Sequence, residues 1–147
     1  ITTDADVWVE STWIDQMVKC FNDNTGLVIG ITLYEFKKKP LHAFQSLDGA
    51  GLSIIGVALA EIGRPISCQG SNLAFRKDAY MLVHEKVLAL AVSCGNREWL
   101  MHEINSDTDW KIKTQLHPES IAHTYPPDTW RALINQRSRW ASTGKNY

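Results

Sequence analysis

Cysteine is scarce in this 147-residue chain, and the few present follow no pattern. Cys20, Cys68 and Cys94 are odd in number, far apart and outside metal-ligand spacing. That argues against a disulfide framework or a zinc site and for a reducing, cytosol-facing location. An excess of charge of either sign is also missing: 15 Lys and Arg stand against 16 Asp and Glu, for a net charge of −1. A nucleic-acid binder would be clearly basic, so that class is disfavoured. Long hydrophobic runs are lacking too. The longest, Leu52 to Ile62, is interrupted by Gly56 and Glu61 and is too short to cross a bilayer; with no signal peptide, the chain as it stands reads as soluble. Repeats, low-complexity tracts and linkers are absent. What is there is a hydrophobic fraction of 44%, enough for a buried core, over a length that fits one domain or a large part of one.

The charges are unevenly placed. Asp4, Asp6, Glu10, Asp15 and Asp23 crowd the start with only Lys19 against them, while Arg131, Arg137, Arg139 and Lys145 occupy the end with no acid among them. An acidic start suits a cation, and a basic end suits phosphate or an anionic membrane surface. Between them, Ile1-Thr2-Thr3 reads as the end of a buried strand running into Asp4. Glu10 to Asn22 has helical periodicity, with Trp13, Met17, Val18 and Phe21 on one apolar face and Ser11 or Thr12 as cap. Leu27 to Phe36 reads as a strand, ended by the solvated loop Lys37-Lys38-Lys39-Pro40. Residues 41–63 read as a long helix stopped by Gly63-Arg64-Pro65, and Ile66 to Phe75 as a strand pair turning at Gly70-Ser71. Residues 77–91 and Arg97 to Ile104 read as helices, Trp110 to Lys113 as a strand, His117 to Pro127 as an irregular connection and Thr129 to Ala141 as the last helix. Mixed helices and strands with an acidic motif at a strand end predict an α/β layered fold.

Three segments carry chemistry. In Asp4-Ala5-Asp6, two carboxylates at i and i+2 of a strand end point the same way and can converge on one hard cation. Such a cation can bridge two phosphates and neutralise a departing diphosphate; ordinary loop carboxylates are the plain alternative. In Gln69 to Arg76, Gly70 permits close backbone approach, Asn72 donates and accepts at once, and Arg76 can pair with an anion. In Ile134 to Trp140, Gln136, Arg139 and Trp140 lie three and four residues apart and share a helix face. An amide, a permanent cation and a flat ring together suit a ligand with anionic oxygens and a ring, such as a sugar phosphate; packing near a helix end is the plain alternative.

Thr3-Asp4-Ala5-Asp6 followed by Trp13, then Phe44-Gln45, then Gly70-Ser71-Asn72-Leu73-Ala74-Phe75-Arg76-Lys77, then Gln136-Arg137-Ser138-Arg139-Trp140 together resemble the family 2 glycosyltransferases. The match in order and spacing is to the membrane-associated members with a Gln-x-x-Arg-Trp motif, and it spans nearly the whole chain. The resemblance implies a GT-A-like sandwich, an α/β fold around a mixed, mostly parallel sheet flanked by helices. It implies inverting transfer of a sugar from a nucleotide-diphosphate sugar donor to the hydroxyl of a carbohydrate or lipid-linked acceptor, in polysaccharide or glycolipid synthesis. By the same resemblance Asp4 and Asp6 bind a divalent cation (Mg or Mn) with the donor diphosphate. Gly70, Asn72 and Ala74 line the donor or acceptor pocket, Gln136 and Arg139 meet the diphosphate, and Trp140 stacks on an acceptor sugar. The full-length protein would sit at the cytoplasmic face of a membrane, held by segments outside this chain.

Two departures from the family's pattern stand out. The nucleotide-binding half, with its opening βαβ units, precedes the Asp-x-Asp motif in the family; residues 1–147 therefore read as a single, acceptor-side part of the domain without that half. The family's general base lies in a Gly-Asp-Asp or Glu-Asp pattern before a helix. The matching stretch here is Ser93 to Leu100, where Asn96 and Arg97 stand in place of the carboxylates. An amide cannot take a proton from the acceptor, and arginine is always protonated. Glu98 is adjacent, but one residue at a helix start swings a side chain by about 100°. Glu98, or another acid such as Glu103, is one candidate base; a non-catalytic carbohydrate- or nucleotide-binding relative, or an inactive fragment, is the alternative. A structural or interaction module with an incomplete fold is a third class. His84, His102, His117 and His123 are scattered and read as surface or satisfied residues, Asp107 and Asp109 as a polar turn, and Trp8, Trp13, Trp99, Trp110 and Trp130 as core or interface.

Overall fold

The computed structural model describes residues 1–35, 38–90 and 96–143. Lys37, Ser93, Cys94, Gly95 and Lys145 lie outside them, as does the side chain of Asn96. The elements run β1 (Val7–Trp8), α1 (Trp13–Lys19), β2 (Thr25–Ile29), β3 (Thr32–Tyr34), α2 (Pro40–Glu61), β4 (Leu73–Phe75), α3 (Lys77–Leu90), α4 (Asn96–Asp107), β5 (Lys111–Thr114), a single 3-10 turn at Pro118–Ser120, β6 (Ala122–Thr124) and α5 (Trp130–Thr143).

The strands form two small mixed sheets, ordered β4-β2-β5 and β1-β6-β3, within an α/β arrangement. The expectation of a mostly parallel sheet is corrected. In the first sheet β2 pairs antiparallel with β4 and parallel with β5; in the second β6 pairs antiparallel with β1 and parallel with β3. The single strand expected over Leu27 to Phe36 is two strands in different sheets, broken at Gly30-Ile31. The break has a packing cause: the Asn72 side chain lies against Gly30, where a Cβ would overlap it.

Every residue of β2 is buried, and side-chain alternation divides it between two cores. Leu27 and Ile29 join Leu73, Ala79, Val83, Leu100, Met101 and Ile104 on the α3/α4 side, whereas Val28 joins Trp13, Met17 and Ala74 on the α1 side. The sheet is covered on both faces, which is why β2 reads as an unbroken apolar run. Each large aliphatic side chain so buried contributes roughly 1.5–3 kcal/mol.

α2 is built the other way round. Its inward face buries His42, Gln45, Ser53, Gly56, Val57 and Ala60, while Phe44, Leu47, Leu52, Ile54 and Ile55 face outward. The helix is long and apolar enough to cross a membrane by length and composition, with a mean hydropathy of 1.4 over its most apolar stretch, because it extends the Leu52–Ile62 run back to Pro40. It ends as expected: Gly63 adopts φ +76°, Arg64 N–H donates to Leu59 O and Gly63 N–H to Ala60 O, the paired bonds of a glycine helix stop, with Pro65 beyond. The second half of the expected strand pair, Leu73–Phe75, is a strand; residues 66–72 are not. The connection expected to be irregular over His117 to Pro127 contains β6, the central strand of the second sheet.

Candidate functional site

A cleft of about 850 Å³ opens between the sheet end and α5, and it collects the three motif segments. Asp4, Asp6, Gly70, Arg97, Glu98, Gln136, Arg139 and Trp140 all line it. Residues separated by up to 136 positions in sequence thus converge on one volume.

Asp4 is placed through Thr2, whose N–H donates to Leu73 O at 2.8 Å and whose Oγ1 donates to Gly70 O at 2.9 Å. Asp4-Ala5-Asp6 is a tight turn, with Val7 N–H donating to Asp4 O at 3.2 Å. The alternation argument for two carboxylates side by side on a strand therefore does not hold; the turn places them instead. Asp6 is fixed through its carbonyl, which accepts from Thr124 Oγ1 at 3.1 Å.

Arg97, the second residue of α4, donates from Nη1 to Asp4 Oδ1 at 2.9 Å. Its side chain lies across Gly70, where any Cβ would overlap its Cδ. Close approach at Gly70 was the sequence expectation; the group that approaches is an arginine of the same chain. Glu98 also reaches the cleft and accepts from Ser67 Oγ at 3.1 Å. The Cys68 thiol beside them lies 3.5 Å from Arg97 O, and burial pushes its pKa up to about 12.

Asn72 and Ala74 sit behind this wall and not on it. Asn72 is fully buried: it donates to Ile31 O and Ser120 O, both at 2.8 Å, and accepts from Trp13 Nε1 at 2.9 Å. Ala74 packs in the α1-side core. Arg76 is also turned away, donating to Thr25 O and Asn22 O and lying over the rings of Phe21 and Trp110. All three are consumed by the fold: Ala74 belongs to β4, which pairs with the fully buried β2, and Asn72 and Arg76 flank it on either side.

On the opposite wall, Gln136 accepts from Tyr34 OH at 3.3 Å. Burial raises the Tyr34 pKa above its ordinary value, so the phenol stays a donor at neutral pH. Arg137, between the motif residues, pairs with Asp48 and lies 4.5 Å over the Trp140 ring. Sequence reasoning placed Arg137 only in the general basic end and gave no role to Tyr34; the i, i+3 spacing of Arg137 and Trp140 was the available signal for their contact. Phe44 and Gln45 attach α2 to the lead-in of α5: the Phe44 ring meets Trp130 at 6.0 Å, and Gln45 Nε2 donates to Pro127 O at 2.9 Å.

The acidic pair does not fit a resident divalent cation. One carboxylate is already held by a guanidinium, so a cation seated on Asp4 would meet like charge. Among the described residues no group of three His, Cys, Asp or Glu side chains converges. Asp107, of the second acidic pair, lies not in the expected polar turn but at the last residue of α4, and it bonds Lys86 of α3. Trp13 is core, and Trp8 stacks on His123 at the edge of the second sheet.

No family model matches the chain. It is similar to chitin synthase 4 of Cryptococcus neoformans var. grubii, at 28% identity over 134 residues, covering 85% of this chain and 10% of that protein. The chain thus spans about a tenth of the length of that relative, and the similarity is distant.

Proposed function

We propose that the cleft is the sugar-transfer site of an inverting family 2 glycosyltransferase that uses a nucleotide-diphosphate sugar. The observation that carries this reading is the convergence of Asp4, Asp6, Gly70, Gln136, Arg139 and Trp140 on one cleft. The distant similarity to a chitin synthase supports it and favours a growing polysaccharide as acceptor. The chemistry suits the reaction. Guanidinium groups match phosphate oxygens in a planar fork, and the Trp140 ring, 46% exposed, suits the apolar face of a pyranose. Glu98, one of the carboxylates lining the cleft, is assigned as base: it accepts the acceptor hydroxyl's proton as that oxygen bonds the anomeric carbon, and the nucleoside diphosphate leaves with the electron pair of the broken bond. The same reading places the full-length protein at the cytoplasmic face of a membrane, and the outward apolar face of α2 supports that placement.

A second reading, a non-catalytic carbohydrate- or nucleotide-binding relative, is favoured by one observation: Arg97 stands in the expected base segment and engages Asp4. The two are separated by incubating the full-length protein with a panel of nucleotide-diphosphate sugars and oligosaccharide acceptors. The enzyme reading expects acceptor-dependent release of nucleoside diphosphate with inversion at the anomeric carbon, lost in Glu98→Gln. Sugar binding that depends on Trp140 without any release would establish the second reading instead.

A further inference from the structure

We propose that Arg97 is the cation of this site: its guanidinium, in place of a divalent metal, binds the diphosphate of the donor, and Asp4 is the counter-ion that it exchanges for that diphosphate. This rests on the sugar-nucleotide reading and deepens it. Four observations converge. The guanidinium is anchored on Asp4 at 2.9 Å, yet both side chains remain accessible, at 40% and 46%, so a ligand can reach the pair from the cleft. The aliphatic stem of Arg97 lies in the space left by the missing side chain of Gly70, a fit that fixes where the fork points. Arg97 occupies the first turn of the 12-residue α4, where the helix dipole is positive. A cation there is disfavoured on its own and favoured once an anion is bound, because the anion meets the dipole and the guanidinium together. Finally, Arg137 and Arg139 line the same cleft from the other wall, and Arg137 is engaged by Asp48.

In this arrangement Asp4 competes with the ligand for Arg97. A phosphate can displace a carboxylate by accepting two parallel N–H bonds from the fork and adding charge. This inverts the role expected of Asp4. As a metal ligand, Asp4 would be required for diphosphate binding; as a counter-ion to Arg97, its removal frees the guanidinium.

The test is titration of the protein with UDP and, separately, with inorganic pyrophosphate, in excess chelator and in excess magnesium. Expected in chelator are binding within about twofold of that in magnesium, a loss of tenfold or more in Arg97→Gln with partial retention in Arg97→Lys, and unchanged or tighter binding in Asp4→Asn. Circular dichroism of each variant confirms its fold. Binding that requires magnesium and is lost in Asp4→Asn would overturn the proposal. Arg97-dependent binding of pyrophosphate without any preference for UDP would keep the anion site and overturn the nucleotide reading. If neither ligand binds in any condition, both fall.

Discussion

The wall of the cleft that carries Gly70 and Arg97 rests on a core in which Leu27, Leu73, Met101 and Ile104 are wholly buried, whereas the wall that carries Gln136, Arg139 and Trp140 is a helix that buries only Leu133 among its described side chains. The first wall is held by apolar packing on both faces of a sheet. The second is held by polar and aromatic contacts at its margins: Tyr34 to Gln136, Asp48 to Arg137, Gln45 to Pro127 and Phe44 to Trp130. The difference divides the work of the site. The packed wall fixes the position of Arg97 and the acidic turn; the other wall presents Arg139 and Trp140 from a helix held mainly by its polar and aromatic contacts. The inner face of α2 is mixed: Ala60 joins the core near its C-terminal end, while Gln45 and Ser53 make hydrogen bonds to loops.

The contrast predicts opposite responses to mutation. The largest effect is expected for Asn72→Ala, which strands the Trp13 indole N–H and the Ser120 carbonyl and takes from Ile31 O one of its two donors, leaving Ala122 N–H. Each buried group left unpaired costs about 1–3 kcal/mol, so urea unfolding should show a global loss of about 3 kcal/mol or more. Leu133→Ala should cost about 2 kcal/mol, and hydrogen exchange should accelerate over Trp130–Thr143 alone; acceleration through β2 would mean that the walls are one cooperative unit. Gly70→Ala displaces the Arg97 side chain and not the backbone core. Its unfolding free energy should stay within about 1 kcal/mol of the parent, while pyrophosphate affinity falls severalfold; a collapse in stability would mean that Gly70 serves the fold.

The smallest effect is electrostatic and belongs to the second wall. The Lys39 ammonium bonded to Asp128 holds that carboxyl below its ordinary value. A depressed pKa adds stability above the unfolded carboxylate value, about 3.9, and that contribution disappears as pH falls through the folded value. NMR titration of Asp128 should therefore show a midpoint below the ordinary carboxylate range, moving back toward it in Lys39→Ala. Being fully at the surface, the pair should leave the unfolding midpoint at neutral pH almost unchanged.

Much of the packed wall was legible in the sequence because it follows periodicity. Of the expected apolar face of Trp13, Met17, Val18 and Phe21, the first two are core and Phe21 packs against them, whereas Val18 is exposed; the buried run at Leu27 to Ile29 and the glycine stop at Gly63 appear where local pattern places them. What was not legible depends on contacts between distant residues. The split of β2 from β3 is set by Asn72 against Gly30, and β6 is too short, at three residues, to declare itself. Helical spacing placed Gln136, Arg139 and Trp140 on one face, and all three do line the cleft. It could not show that Asn72 and Ala74 lie behind the wall, nor that Arg97 reaches Asp4, since nothing local links positions 4 and 97.

Both walls are expected to close on one ligand. Amide chemical-shift mapping with a nucleotide-diphosphate sugar tests this most directly. The predicted result is saturable shifts at residues 4–6, 69–71, 97–98 and 136–140 with one shared affinity. Shifts confined to one wall, or found instead around the smaller cavity at Asp107, Asp109 and Trp110, would contradict it.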